Sequence, residues 1–206
     1  MAAEITNRIV KNKDKFSGGD LFIERKIQSG NEFMIVKMTQ LNKGDFKKAN
    51  EGFFVSGRII PKYENEIWTY TEEIFTEPYY KEYEDEEIDI SYIDEPDKAV
   101  FLYYDDKNCV GQIKLCINWN GYALIEDIAV AKDWRQKGIG TILLQKAIEW
   151  AIQNNLAGVM LETQDVNISA CRFYAKNNFV IGGVDNMLYS TFQTAHEKAV
   201  FWYYKF

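Results

Sequence analysis

A glycine-punctuated turn, Arg135-Gln-Lys-Gly-Ile-Gly-Thr141, set between an apolar strand and a long amphipathic helix, constrains this chain more than any other stretch. Before it, Tyr122-Ala-Leu-Ile-Glu-Asp-Ile-Ala-Val130 is a mostly apolar run rich in β-branched residues, as in a strand covered on both faces. After it, Ile139, Leu143, Ala147 and Ala151 fall on one helical row and Leu144, Ile148 and Ile152 on the next, the broad stripe of a helix lying on a sheet. The turn therefore opens a helix, whose start offers unpaired backbone N–H groups and the positive end of the macrodipole. Gly138 and Gly140 would let an anion approach without a Cβ in the way, so phosphate binding is the first function suggested. A purely structural tight turn would carry the same glycine pair.

Two common phosphate-binding patterns are not met: the Walker loop needs Gly-x-x-x-x-Gly-Lys-Ser/Thr, and the dinucleotide fingerprint needs a third glycine and an acid ending the next strand. After the helix come a short strand, Gly158-Val-Met-Leu-Glu-Thr163, and the segment Asn167-Ile-Ser-Ala-Cys-Arg-Phe-Tyr-Ala-Lys-Asn-Asn-Phe179. The order strand, Arg-x-x-Gly-x-Gly, helix, strand, Asn-x-x-Ala-x-x-Phe-Tyr-x-x-x-x-Phe resembles the acetyl-CoA-binding half of the GNAT superfamily of N-acetyltransferases. The resemblance implies an α/β (α+β) fold: a mixed, mostly antiparallel central sheet flanked by helices and splayed at its central strand, with acetyl-CoA as co-substrate. It also implies site residues. Arg135, Gln136, Lys137, Gly138, Ile139, Gly140 and Thr141 would hold the pyrophosphate, with Arg135 and Lys137 adding charge, and Ile128, Ala129 and Val130 would offer backbone N–H groups to pantetheine and the thioester oxygen. Tyr174 stands where similar enzymes protonate the CoA thiolate, and Asn167 where they bind the cofactor arm. On the residues alone, Tyr174 reads as a core tyrosine and Asn167 as an N-cap.

Glu126 and Asp127 are neighbours on the central strand and face opposite sides unless a bulge intervenes. An acid within a buried strand is costly unless paired or functional, so both are expected near the site, one taking the amine's proton and the other orienting the ammonium.

The net charge of −7 is unevenly spread: Glu64 to Asp97 holds fourteen acids against the single Lys81, a local balance of −13 that leaves +6 elsewhere. Aromatic residues interleave with these acids. Tyr63, Trp68, Tyr80 and Glu82 are therefore candidate contacts for a cationic ligand, through cation–π and charge-assisted hydrogen bonds. Nucleic acid would be repelled. A solvated surface with rings that merely anchor it explains the same composition.

Outside the cofactor half, Gly57-Arg-Ile-Ile-Pro-Lys-Tyr-Glu-Asn-Glu-Ile-Trp68, Leu161-Glu-Thr-Gln-Asp165 and Lys198-Ala-Val-Phe-Trp-Tyr203 resemble the streptothricin-acetylating branch of the superfamily, over about Ser56 to Phe206. That branch implies a cationic small-molecule antibiotic as substrate, acetylated on an amine of its β-lysine part, and hence resistance. Two other readings stay open: acetylation of another polycationic amine or peptide, and a non-catalytic CoA-binding module.

A chain of 206 residues, 47% apolar and 15% aromatic, fits a folded domain at 34–206 with residues 1–33 as an extension of unknown role. No apolar run approaches the ~18 residues of a membrane span, and the start of the chain lacks a secretory core, which points to the cytoplasm and away from membranes. Cys109, Cys116 and Cys171 and the lone His196 show no metal-ligand spacing, and His196 reads as a surface residue. A homodimer is compatible with all of this. Further expectations are turns at Ser17–Asp20 and Ser29–Asn31, strands at Leu21–Ile23 and Phe33–Leu41, a short helix at Lys43–Glu51, and a strand at Phe53–Ile60 closed by Pro61. A hairpin of Ala99–Tyr104 with Val110–Ile117 follows. Beyond the cofactor half come a loop at Gly182–Gly183, a short strand at Met187–Tyr189 and a final strand from Lys198.

Overall fold

The computed structural model describes residues 9–10, 23–28, 31–82 and 87–206. The expected turn at Ser17–Asp20, residues Ser29 and Gly30, the first two residues of the Leu21–Ile23 strand, and the acids Glu84, Asp85 and Glu86 lie outside the described residues.

In chain order the strands are β1 (Ile9–Val10), β2 (Ile23–Gln28), β3 (Asn31–Lys37), β4 (Phe53–Glu64), β5 (Ile67–Lys81), β6 (Lys98–Asp105) and β7 (Asn108–Ile117). They continue with β8 (Ala123–Val130), β9 (Gly158–Gln164), β10 (Val180–Asp185) and β11 (Ala199–Lys205). The helices are α1 (Ser91–Asp94), α2 (Ile139–Gln153) and α3 (Ile168–Lys176). No helix among the described residues is long and apolar enough to cross a membrane.

The chain divides into two compact units. The first comprises Met1–Glu51, Asp85–Cys116 and Asp127–Lys146. Its described strands pair antiparallel in the order β1-β2-β3-β6-β7. β6 is buried from Ala99 onward, as its unbroken apolar run demands. Val36, Met38, Tyr92, Val100, Leu102 and Tyr104 form one core cluster here.

The second unit comprises Gly52–Glu84, Ile117–Glu126 and Ala147–Phe206. Here β9 pairs in parallel with the start of β8 and antiparallel with β11, which pairs antiparallel with β10. The β8–β9 ladder is short: Ala123↔Val159, Leu124↔Met160 and Ile125↔Leu161. β8 and α2 each give one half to either unit.

β4 and β5 form a separate two-stranded antiparallel hairpin in the second unit. Pro61 does not end β4; it pairs with Tyr70, and the strand continues to Glu64. A proline is tolerated in a strand where no ladder hydrogen bond needs its missing N–H, as at a sheet edge. The two strands are joined by Asn65 and Glu66, both at positive φ (51° and 64°), the dihedral signature of a tight hairpin turn. The expected helix at Lys43–Glu51 is only a 3-10 turn at Lys43–Asp45, and Lys47 at φ 73° interrupts any continuation. Gly182 and Gly183 lie inside β10, where a bulge falls between Ile181 and Gly183, and Met187–Tyr189 forms turns instead of a strand.

Candidate active site

In the first unit, β8 ends at Val130 and a 3-10 turn, Lys132–Trp134, leads to α2. The turn is tied from both sides. Ala131 N donates to Val110 O at 3.0 Å, and Trp134 N to Ala131 O at 2.8 Å. Arg135 folds back on the turn: Nε donates to Val130 O at 2.9 Å and a terminal nitrogen to Glu51 O at 2.8 Å. The Glu51 carboxylate accepts from Lys132 N. Lys137 Nζ lies 4.5 Å from the Trp134 ring centroid, a cation–π distance. Both basic residues expected to add charge to a phosphate thus have partners within the turn, and Arg135 shapes the loop through its carbonyl contacts.

Gln136 at φ 62° and Gly138 at φ 86° curl the chain into the helix. A Cβ built at Gly138 meets nothing within 4 Å, so the space beside it is open, and its positive φ is what calls for glycine. Ile142 N is the first donor returned to the turn, to Gly138 O at 3.1 Å. The N–H groups of Ile139, Gly140 and Thr141 are therefore the first-turn donors a bound anion would use. Ile139 itself is buried against Gly111, where an added Cβ would come within 3.1 Å of Ile139 Cγ2. Ile128, Ala129 and Val130 are half-buried along the end of β8.

Asp127 sits in a network. Gln112, fully buried on β7, donates Nε2 to Asp127 Oδ2 at 2.5 Å and accepts from Lys47 N at 2.6 Å, while Lys47 Nζ lies 3.9 Å from the same Asp127 oxygen. This carboxylate bolts β8 to the 43–51 loop.

In the second unit, the three-pair ladder of β8 and β9 ends at Ile125↔Leu161, and Glu126 and Glu162 are the next residues on the two strands. Side chains alternate along a strand, so both acids lie opposite the buried Ile125 and Leu161. Glu126 is exposed; Glu162 is half-buried and accepts from the Tyr189 hydroxyl. Burial pushes the Glu162 carboxyl above its ordinary range, and the Tyr189 hydrogen bond acts the other way. Beside it, Glu197, only 2% exposed, takes Lys81 Nζ on both oxygens at 2.6 Å. Asp165 accepts from Lys198 N at 2.9 Å through Oδ1, and its Oδ2 is 3.8 Å from an Arg58 nitrogen. Glu162, Tyr189, Glu197 and Asp165 were not singled out from the sequence; their signal is tertiary, apart from Glu162 inside the mostly apolar β9 run.

Asn167 caps α3, its Oδ1 accepting from Ala170 N at 3.1 Å. Tyr174 is 5% exposed on α3, its ring 5.9 Å from Phe179 and 6.1 Å from Trp202. Burial pushes the Cys171 thiol on the same helix up to about 12, which keeps it protonated and unreactive at neutral pH.

The expected substrate contacts are not brought together. Tyr63 and Trp68 face each other at the hairpin tip, ring centroids 4.9 Å apart, whereas Tyr80 packs on Phe54 at the base, 5.3 Å away, followed by exposed Glu82. Tyr63 and Phe54, the β4 partners of Trp68 and Tyr80, are nine residues apart, about 30 Å of extended strand, so one small ligand cannot touch both ends. His196 is exposed.

The acetyltransferase (GNAT) family model matches residues 65–179. Streptothricin acetyltransferase A of Bacillus subtilis (strain 168) is 66% identical to this chain over 173 residues, covering 84% of the chain and 100% of the relative. Streptothricin acetyltransferase of Escherichia coli is 39% identical over 62% of this chain and 71% of its own length. Among solved structures, a Bacillus anthracis protein described as a streptothricin acetyltransferase, in complex with acetyl coenzyme A, superposes with a TM-score of 0.79 at 34% identity, covering 84% of this chain and 99% of that one.

Proposed function

The chain belongs to the acetyltransferase (GNAT) family, and from that premise we propose that it transfers the acetyl group of acetyl-CoA to an amine of the β-lysine part of streptothricin-type antibiotics, conferring resistance. The observation that carries this reading is the 66% identity over the whole length of a named streptothricin acetyltransferase. Two carboxylates at the end of the β8–β9 ladder supply what a cationic amine needs.

In this reading the N–H groups of Ile139, Gly140 and Thr141 hold the pyrophosphate, Ile128–Val130 bind the pantetheine arm and polarise the thioester carbonyl, and Asn167 braces the arm. Glu126 or Glu162 takes the proton of the ammonium, directly or through water, and the freed amine attacks the carbonyl carbon. The C–S bond breaks, and Tyr174 returns a proton to the CoA thiolate. Asp127 orients this end of β8 through Gln112 and Lys47. Direct transfer is the reading adopted, and the buried Cys171 thiol, held protonated by its burial, is a poor acyl acceptor.

Mass spectrometry of streptothricin after incubation with enzyme and acetyl-CoA tests the proposal. A product heavier by one acetyl group on the β-lysine fragment is expected. Unchanged antibiotic, with another polyamine or a peptide acetylated instead, would transfer the activity to that substrate.

A further inference from the structure

The 3-10 turn Lys132–Trp134 starts without a cap of its own: Ala131 stands at the capping position and makes no side-chain hydrogen bond. The acceptor comes instead from Glu51, 81 positions earlier, whose carboxylate takes the N–H of Lys132. The backbone carbonyl of the same residue takes a terminal nitrogen of Arg135 at 2.8 Å, and Arg135 Nε passes the constraint on to Val130 O at 2.9 Å. Glu51 therefore holds the start of the turn, its end and, through Arg135, the last residue of β8. It is delivered there from a fixed base. Ala49 is fully buried, Lys47 N donates to the buried Gln112 at 2.6 Å, and Asp45 takes the Tyr104 hydroxyl at 2.6 Å and the Lys48 ammonium at 2.5 Å. All of these residues belong to the first unit.

Charge alone argues against a carboxylate at this place. The connection it grips runs on into the N–H groups of Ile139, Gly140 and Thr141, and any anion bound there is repelled by Glu51. A residue that costs affinity by its charge is explained if it returns more by its geometry. We propose that Glu51 is a positioning residue for acetyl-CoA: by capping the turn from a distant segment and bracing Arg135, it fixes the spacing between the β8 end, which takes the pantetheine arm, and the donors that take the pyrophosphate. The inference rests on the proposed function for the place of the cofactor, and deepens it by naming what holds that place in shape. With the cap removed, the Lys132 N–H is left to water and the connection varies, so the donors of α2 are presented in the binding geometry only part of the time.

Calorimetric binding of CoA to wild type, Glu51→Ala and Glu51→Gln tests it. Glutamine keeps an oxygen for the Lys132 N–H and removes the charge, so Glu51→Gln is expected to bind CoA at least as tightly as wild type. Alanine removes bond and charge together, and CoA affinity is expected to fall about fivefold, the factor that corresponds to a lost helix cap. A carboxylate that merely lay near the site would give the opposite sign, tighter binding in both variants. S-acetylpantetheine, which lacks the pyrophosphate, provides the second readout. In Glu51→Ala, kcat/KM with acetyl-CoA should fall about fivefold while kcat/KM with S-acetylpantetheine stays at the wild-type level, a split that a general loss of stability does not produce. CoA affinity in Glu51→Ala equal to or above wild type, an equal loss in Glu51→Gln, or equal losses with both thioesters would each overturn the inference. Streptothricin left unacetylated beside the expected CoA affinities would overturn only the proposed function.

Discussion

The turn at 131–140 and the loop at 186–198, which joins β10 to β11, are both connections pinned by side chains to neighbouring strands, but they are built differently. The first offers backbone: three amide donors at the start of α2, in open space beside Gly138. The second offers side chains: Glu197 held by Lys81 of β5, and Tyr189 bound to Glu162 of β9. A backbone site writes itself into the sequence as glycines at fixed spacing, because only the φ and the missing Cβ matter. A side-chain site leaves no such local trace, since its members lie over a hundred positions apart, as Lys81 and Glu197 do.

The largest effect expected belongs to the chemical step. If Tyr174 returns the proton to the thiolate, Tyr174→Phe lowers kcat by ~10²-fold or more with little change in acetyl-CoA affinity, the size of losing one positioned proton donor. The ring is packed against Phe179 and Trp202, and phenylalanine preserves that packing, so a near-normal kcat would reduce Tyr174 to a core residue.

Gly138→Asp comes next and breaks the backbone site alone. It places a Cβ at φ 86°, where side chains are strained, and a negative charge beside the three donors. Acetyl-CoA affinity should fall about tenfold or more. Unchanged cofactor affinity in a folded variant would remove the pyrophosphate from this turn.

Local and tertiary features differ in the same way in how far the amino-acid sequence reveals them. The central strand, the start of α2 at Ile139, β9 and the cap at Asn167 were all legible to within one or two residues, because local periodicity and capping chemistry specify them. β5 was not: its alternation, half-buried at Trp68, Tyr70 and Glu72, breaks at Glu73–Ile74, beside the register shift that pairs Val55 with Tyr79 but Gly57 with Ile74, and its tight turn carries Asn65-Glu66 where Asn-Gly would have announced it. The acidic block likewise looked uniform in composition. In the structure Glu72 pairs with Arg172, Glu64 with Lys62 at 2.8 Å and Glu95 with Lys98 at 3.1 Å, so several of its charges are already spoken for.

That pairing sets the scale of the third effect. Raising ionic strength shortens the Debye length from ~10 Å at 0.1 M to ~3 Å at 1 M, and kcat/KM for a cationic antibiotic should fall by about two- to fivefold while cofactor binding at the backbone turn changes less. Glu82→Gln with Glu87→Gln should flatten the slope, both residues being exposed. A slope unchanged in that variant would make the block a solvated surface.

The smallest effect separates the two units by pH. In the first, the Lys48 ammonium and the Tyr104 hydroxyl, at 2.5 Å and 2.6 Å, hold the Asp45 carboxyl below its ordinary range. A depressed carboxylate contributes stability above its unfolded pKa and loses it as the pH falls through the folded one. In the second unit, burial pushes Asp165 above its ordinary range, and its Oδ2 makes no hydrogen bond. The sign reverses: this group favours the fold most when protonated, and the favour is lost as pH rises through its raised pKa. Asp45→Asn should therefore lower Tm by a few degrees at pH 7, with the deficit shrinking toward pH 3. Asp165→Asn, which keeps the Oδ1 acceptor for Lys198 N, should leave Tm at pH 7 unchanged or slightly higher, and its advantage should vanish on acidification. Thermal melts of both variants from pH 3 to pH 8 decide the matter. Parallel pH profiles would show that the half-buried Arg58 offsets the desolvation of Asp165, and that the Asp165 carboxylate stabilises the fold as Asp45 does.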